Sequence, residues 1–198
     1  DIVEGLRIRS SGASLMVDDI ISIRFTFRTN ETNAASMGML LFDNEADANT
    51  LDFTKAFWNT ELEYDKDNRY YGYGHGIAAA DMSKPVYAVG YLKYADGTYK
   101  FSQIVQYSAM TYCKNQLNNE KASEQLKNFC KALMHYGAAH QVYKASSSER
   151  PNLELMNVGF DNVPYVESKV VNSSVISHSM ENVIKISSAA MILEGAIN

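Results

Sequence analysis

The residues best suited to chemistry in this chain are its cysteines and histidines, and none of them is arranged for catalysis. Cys113 and Cys130 fall on apolar stripes of two predicted helices, where a thiol packs as a small hydrophobic group. His135 and His140 lie on the second helix without a tie to either thiol, and His178 has no recognisable partner. No Gly-x-Ser-x-Gly elbow occurs, and 23 acidic residues single out no acid and base pair. We therefore predict no catalytic residue and no enzyme.

Two segments imitate ligand-binding motifs but lack the required residues. Residues 43–49 read Asp-Asn-Glu-Ala-Asp-Ala-Asn, like the start of an EF-hand loop. Ala48 stands where that loop needs glycine, and Thr54 stands where it needs a bidentate glutamate, so we interpret the segment as a solvated acidic loop. Residues 71–76 are glycine-rich, yet they lack the lysine of a phosphate loop and the helix that follows a dinucleotide fingerprint. No metal and no cofactor are predicted.

The same glycine-rich segment displays aromatic side chains. In an extended strand, alternate residues point to opposite faces, so Tyr71, Tyr73 and His75 share one face while Tyr70 and the glycines take the other. Exposed aromatic rings suit the apolar faces of sugar rings, and nearby polar groups bind the hydroxyls. The predicted site consists of three stacking rings and three polar neighbours: Trp58, Tyr71 and Tyr73, with Asn59, Arg69 and His75. The alternative is that these aromatic residues pack in the core or across strands, as aromatic residues in sheets usually do.

The elements that must position these residues are read most clearly in the middle of the chain. Residues 86–94 and 98–107 are rich in β-branched and aromatic residues, and Asp96-Gly97 between them predicts a hairpin turn. Ser108 and Ser123 can each cap a helix that carries an apolar stripe. Because two short helices cannot bury both apolar faces in each other, we expect the pair to pack on one face or one end of the sheet.

The first 76 residues predict further strands of the same sheet. Residues 21–28 alternate between apolar and polar side chains, which is typical of a strand with one solvated face. Residues 6–9 and 14–17 are its predicted neighbours, with turns at 10–12 and 18–19. Residues 37–42 predict a buried strand. Residues 61–64 and 69–76 flank a turn at 65–68 and predict a second hairpin.

Length and charge limit the function. The 198 residues suffice for one domain, and a net charge of -5 with a pI near 5.4 argues against general nucleic-acid binding. No apolar run approaches membrane-spanning length, so no membrane insertion is expected. Because the sequence begins without Met, we read it as a processed protein or a piece of a longer one. For the cysteine pair, two buried thiols are favoured over a disulfide.

The chain divides into a folded unit and a tail. Residues 1–144 hold the sandwich and helix pair, residues 145–151 read as a linker, and residues 152–198 form the tail. Residues 189–198 align without a gap on residues 13–22, an offset of 189 minus 13, or 176 residues. The tail is therefore interpreted as the opening strand of a second repeat, with chance similarity of two strand patterns as the alternative.

Several short sequence segments resemble a module that is repeated in large secreted or surface-attached proteins of anaerobic clostridia and ruminococci, often beside dockerins. These segments lie at residues 76–79, 87–91, 96–99, 107–108 and 133–141, the last reading Leu-Met-His-Tyr-Gly-Ala-Ala-His-Gln. His135 departs from the Asn expected before Tyr-Gly. The resemblance implies an extracellular β-sandwich with a helical appendage, of the kind found in amylosome-type and cellulosome-type systems, and it implies no catalytic residues.

Residues and resemblance together predict an α+β, mainly β, fold: an antiparallel β-sandwich with a C-terminal helical hairpin packed on it. The predicted function is non-catalytic binding of an extracellular polysaccharide, with starch or another α-glucan as the first ligand to test. The alternative is a structural spacer or adhesion module without a glycan ligand. The protein is expected to be secreted or attached to the cell surface, to be monomeric, and to contact neighbouring modules of the same polypeptide.

Overall fold

The structure is a computed structural model that describes residues 7–144, with side chains described through residue 141. Within these residues, two antiparallel sheets face each other and are followed by two helices, which confirms the predicted α+β, mainly β, sandwich-like class. The strands are β1 (Ile8–Val17), β2 (Ile21–Thr29), β3 (Ser36–Phe42), β4 (Trp58–Glu61), β5 (Glu63–Tyr64), β6 (Arg69–Tyr73), β7 (Val86–Lys93), β8 (Tyr99–Phe101) and β9 (Val105–Tyr107). The helices are α1 (Glu45–Thr50), α2 (Ala109–Leu117) and α3 (Glu124–Lys144), and a 3-10 turn spans Ala79–Asp81.

The chain crosses from one sheet to the other at Leu62. Sheet 1 has the order β1-β2-β6-β5, and sheet 2 has the order β4-β3-β7-β8, with β9 also paired to β7. The prediction that the first 76 residues add strands to the sheet of the central hairpin is therefore wrong for β1, β2, β5 and β6, which form a sheet of their own. Because β4 belongs to sheet 2 and β5 to sheet 1, the chain crosses between the sheets at the one residue that separates them. Leu62 packs against the main core at this crossing. The predicted second hairpin is therefore confirmed for β5 and β6, whereas β4 pairs with β3 instead.

The main core lies between the sheets and follows from the alternation in β2. Ile23, Phe25 and Phe27 are buried and face inward, while Arg24 and Thr26 between them are only partly covered. Sheet 2 supplies the opposing side chains of this core: Met39, Leu41, Ala88 and Leu92. Removing such aliphatic and aromatic groups from water is the main reason that the two sheets stay together.

The helix pair packs on one end of the sandwich, as the apolar stripes predict. Met82, Cys113 and Met134 form a second buried cluster with partly buried residues from the end of β1 and the start of β2. Ser108 accepts a hydrogen bond from the Thr111 amide at 3.0 Å, which confirms the predicted N-cap of α2. Helix α3 is tied to the 3-10 turn because Gln141 Nε2 donates to the Ala80 carbonyl at 2.6 Å.

Three local predictions are wrong, each because a hydrogen bond or strand pairing decides the conformation. Residues 10–12 are not a turn, since β1 runs continuously and absorbs the extra residue as a bulge between Ser10 and Gly12. Residues 45–49 of the predicted acidic loop are helical instead, because Asn44 caps α1 by accepting from the Asp47 amide. The second strand of the central hairpin is divided into β8 and β9 around Ser102, whose hydroxyl accepts from the Gly90 amide at 2.9 Å.

Cys113 and Cys130 are free thiols, buried together between α2 and α3. This agrees with the interpretation as buried thiols rather than a disulfide. The hydrogen bond with Cys130 and burial together raise the pKa of Cys113 well above its ordinary value, so the thiolate is disfavoured there.

We expect neither cysteine to react with iodoacetamide in the native protein, because both side chains are fully buried and the reagent cannot reach either sulfur. Mass spectrometry should show an unmodified chain before unfolding and two added carbamidomethyl groups after it. A chain that stays unlabelled when unfolded without reductant would contradict the free thiols.

The predicted linker at residues 145–151, the tail at residues 152–198 and its alignment with residues 13–22 lie outside the described residues. In the part of the chain that is described, no helix combines the length and the apolar character needed to cross a membrane.

Candidate functional site

The structure separates the six residues predicted to bind a sugar into three places. Arg69, Tyr71 and Tyr73 lie on the outer face of sheet 1, opposite Arg28, Thr26 and Arg24 of β2. Trp58 and His75 lie at one end of the sandwich, where their rings meet edge to face with centroids 5.0 Å apart. Asn59 belongs to sheet 2 and contacts that sheet's outer face.

Tyr71 lies on the outer face as the alternation predicts, but its ring already contacts two arginine side chains. The Arg24 guanidinium lies 4.3 Å from the ring centroid, and the Arg69 guanidinium lies 5.7 Å from it. The hydroxyl donates to Asp65 Oδ2 at 2.9 Å, and Arg69 Nε donates to the same oxygen at 2.6 Å. Tyr73 is the freer ring, with 36% of its surface exposed. A sugar would therefore have to displace Arg24 to stack on Tyr71.

The Asp65 carboxylate holds this cluster together. Burial alone raises its pKa, but the hydrogen bonds from Tyr71 and Arg69 outweigh burial, and the pKa lies below the ordinary 3.8. The folded state thus binds the Asp65 proton more weakly than the unfolded state. Its contribution to stability is fully present above the unfolded-state pKa and is lost as the pH falls through the folded-state pKa.

We expect Asp65→Asn to lower the melting temperature at neutral pH and to flatten its decline on acidification. Thermal unfolding of both proteins from about pH 6 to about pH 3 measures the difference, and the two curves should converge at the acidic end. Asp19→Asn is the matched control, because Asp19 is exposed in the turn between β1 and β2 and forms no contact with the Asp65 cluster. Curves for Asp65→Asn and wild type that remain parallel would contradict the linkage.

Trp58 does not present its ring as an open platform. The indole is half-buried, packs against the main core, and donates from Nε1 to the Tyr73 carbonyl at 3.0 Å. The reason is the crossing at Leu62: because β4 pairs with β3 opposite Leu41, Trp58 shares the inward face of sheet 2. The predicted stacking of a glucose ring on Trp58 would therefore require a ring that is already packed on the core.

Asn59 lies on the outer face of sheet 2, where its Oδ1 accepts a hydrogen bond from the Tyr91 hydroxyl at 3.0 Å. Tyr91 belongs to an aromatic cluster that no sequence pattern predicted. Phe53 lies over it, with ring centroids 5.0 Å from both Tyr91 and Tyr99 and 6.2 Å from Phe101. Asn59 therefore supports a packed cluster rather than standing beside Tyr71 and Tyr73.

A cleft of about 550 Å³ opens where the two sheets diverge, next to the Trp58 and His75 pair. Its floor is the end of the main core: Ile23, Phe25 and Leu41. Gly74 forms part of the wall, and its amide donates to the Ile23 carbonyl at 2.9 Å. A Cβ added to Gly74 would lie 2.9 Å from that carbonyl oxygen, so only glycine permits this approach.

The rim of the cleft combines an aromatic ring with polar groups. Phe57 is 41% exposed, and its amide donates to the Leu41 carbonyl at 3.0 Å, which fixes the ring at the end of β3. His75 Nδ1 lies 2.9 Å from the Gly76 carbonyl. Because a carbonyl only accepts, Nδ1 is the donor in this contact, and in the neutral ring Nε2 is then the acceptor. Asp43 also lies at the rim. So do Asp81 and Lys84, and the Lys84 ammonium forms an ion pair with the Asp81 carboxylate at 2.7 Å.

Of the predicted residues only His75 lines the cleft, and four of its rim residues were not predicted: Phe57, Asp43, Asp81 and Lys84. They come from segments far apart in sequence, and no local pattern joins them. Phe57 alone carried a usable signal, as a large apolar residue next to Trp58 and Asn59. Among the described residues, no group of three or more His, Cys, Asp or Glu side chains could hold a metal ion.

Comparisons with known proteins leave the family open. No protein-family model matches the chain, and no curated protein matches it. Among solved structures, the chain is similar to a DUF3823 family protein from Bacteroides ovatus, at 17% sequence identity and a TM-score of 0.35. That match covers 52% of this chain and 56% of the other, so the chain spans little more than half the length of that relative. A likeness at this level says nothing about function, which has to be inferred from the site itself.

Proposed function

We propose that the protein is a non-catalytic, secreted or surface-attached module that binds a polysaccharide at the cleft between its sheets. Neutral α-glucan such as starch is the first ligand to test. The binding residues in this proposal are Phe57 and His75 at the rim, together with Asp43, Asp81 and Lys84. Tyr73, the more exposed of the two predicted tyrosines, is a further aromatic ring near the site. Trp58 does not bind the sugar in this proposal but positions the His75 ring through their edge-to-face contact.

The observation that carries this proposal is an exposed aromatic ring beside a sugar-sized cleft with polar groups on its rim. Cavities of about 300–1,000 Å³ with apolar walls and a few fixed polar groups are typical of small-ligand sites. The Phe57 ring offers an apolar face to the C–H groups of a sugar. The carboxylates of Asp43 and Asp81 can accept from sugar hydroxyls, and His75 Nε2 can accept from another.

A structural spacer is the second candidate, and the contacts of the predicted binding residues favour it. Asn59 is bound to Tyr91, Trp58 to the Tyr73 carbonyl, and Arg69 to Asp65. Side chains engaged in this way stabilise the sandwich whether or not a ligand exists. A spacer needs no cleft, however, and the cleft with its exposed ring is the feature that separates the two functions.

Affinity electrophoresis of the full chain tests the proposal directly. Native gels containing amylopectin, pullulan, xylan or a soluble cellulose derivative are compared with a gel without polysaccharide. Retardation by at least one neutral polysaccharide, reversed by the matching free oligosaccharide, is expected. Unchanged mobility in every gel would leave the spacer as the better account.

A further inference from the structure

Three arginines form a continuous row across the outer face of sheet 1. The register places Arg9 of β1 directly opposite Arg28 of β2, and Arg28 directly opposite Arg69 of β6. Neighbouring strands lie about 4.8 Å apart, so the three side chains leave the same face of the sheet at short intervals. Arg9 is exposed, and Arg28 and Arg69 are partly exposed.

Three arginines in a row destabilise the folded protein when no ligand is bound. Like charges directly opposite each other on one face of a sheet repel, and the repulsion here occurs twice in succession. Positions that break a local rule in this way are expected where a protein binds a ligand. Of the row, only Arg69 has a carboxylate partner, Asp65, among the described residues.

A fourth arginine extends the positive surface. Arg24 lies on the same outer face, held against the Tyr71 ring at 4.3 Å while its Nε donates to Ser14 Oγ at 3.3 Å. No carboxylate of the described residues forms an ion pair with Arg9, Arg24 or Arg28. Besides Asp65, two acids lie close to this face: Glu63 pairs with Tyr71 across β5 and β6, and the Asp67 carboxylate acts on Arg69 from the neighbouring turn. Four arginines against three acids leave the face positive in a chain of net charge -5.

We propose that this face, named the arginine face after Arg9, Arg24, Arg28 and Arg69, binds the carboxylates of an acidic polysaccharide of the polyuronate class. A guanidinium binds a carboxylate through two parallel N–H donors, and a polyuronate repeats a carboxylate at every sugar ring along an extended chain. The row crosses three neighbouring strands on one face of the sheet, so an extended polymer lying across these strands can meet one guanidinium after another. The choice of a saccharide among polyanions rests on the proposed function, whereas the charge complementarity does not.

Calorimetric titration of the full chain with an oligogalacturonate tests this site. The same oligomer with its carboxylates methyl-esterified is the ligand control, and polyphosphate is the second polyanion. The double variant Arg9→Gln/Arg28→Gln is compared with Lys100→Gln/Lys121→Gln, which removes the same charge at two exposed positions off the face. We expect the acidic oligomer to bind wild type, to bind more weakly as salt increases, and to bind the arginine variant about tenfold more weakly. The lysine variant should bind as wild type does.

The two arginine substitutions should keep or raise the melting temperature, because they relieve like-charge repulsion, so weaker binding cannot be assigned to unfolding. Absence of binding, equal binding of the methyl ester, equal affinity for polyphosphate, or equal weakening in both double variants would overturn the polyuronate site. Amylopectin retardation that persists in the arginine variant supports separate sites. Oligogalacturonate binding without retention by any neutral polysaccharide would keep the arginine face and remove the cleft proposal.

Discussion

Phe27→Ala is expected to lower the free energy of unfolding by about 3–5 kcal/mol. The side chain is fully buried at the centre of the main core, where it packs with Ile8 and against the backbone of Gly90 across the two sheets. Its removal deletes apolar contacts and leaves a cavity between sheets that the backbone cannot close. Urea unfolding followed by tryptophan fluorescence measures the loss. A change below about 1 kcal/mol would contradict the packing of the two sheets through this ring.

The contact between Phe27 and the opposite sheet can also be tested by a substitution at Gly90. A Cβ at Gly90 would lie 2.6 Å from the Phe27 ring, so Gly90→Ala alone should cost about 1–3 kcal/mol by overpacking. In the Phe27→Ala background the ring is absent, and the same substitution should cost little. The double variant should therefore be more stable than the sum of the single effects predicts, by about 1 kcal/mol or more. Additive effects would show that the two positions do not meet.

Phe57→Ala is expected to weaken polysaccharide retention by about tenfold, equivalent to about 1.4 kcal/mol, while the melting temperature changes little. The ring is 41% exposed at the rim of the cleft, so its loss removes a stacking surface without opening the core. Affinity electrophoresis and thermal unfolding of the same sample separate the two effects. Tyr64→Ala is the matched control, because Tyr64 is 65% exposed and does not line the cleft. Retention that falls equally in both variants would place the binding surface elsewhere.

Trp58→Ala should show the opposite pattern to Phe57→Ala. Because the indole packs on the main core and donates to the Tyr73 carbonyl, its loss should lower the melting temperature and disturb His75 only indirectly. Trp58→Phe keeps the apolar packing but not the hydrogen bond, and should recover part of the stability. Lost retention at an unchanged melting temperature in Trp58→Ala would restore Trp58 as a stacking residue.

The parts of the fold that sequence predicts are those decided by near neighbours in the chain. The alternation in β2, the Asp96-Gly97 turn and the serine caps at Ser108 and Ser123 each act within a few residues, and each prediction is confirmed. The bulge at Ser10 could not be predicted, because it depends on where β1 meets β2. The division of β8 from β9 likewise depends on Ser102 reaching the backbone of β7.

The candidate site was harder to predict because its geometry depends on how the sheets meet. Alternation correctly places Tyr71 and Tyr73 on the outer face of sheet 1. It cannot show that Arg24 covers Tyr71, since Arg24 is 47 positions away along the chain, the difference between 71 and 24. Nor can it show that Trp58 faces inward, because that follows from the crossing at Leu62. The cleft itself is assembled from distant segments and has no sequence signature.

The bulge in β1 also bears on how copies of this protein behave at high concentration. A ten-residue strand at a sheet edge is an open template for another chain, and β1 occupies that position in sheet 1. The kink between Ser10 and Gly12 interrupts the row of edge amides and carbonyls, and at that point the Gln103 side chain already binds the amide and the carbonyl of Ser10. The Arg9 charge next to the kink repels an identical strand. Straightening that kink by deleting Ser11 would remove part of this protection and make pairing between the β1 edges of two copies more favourable.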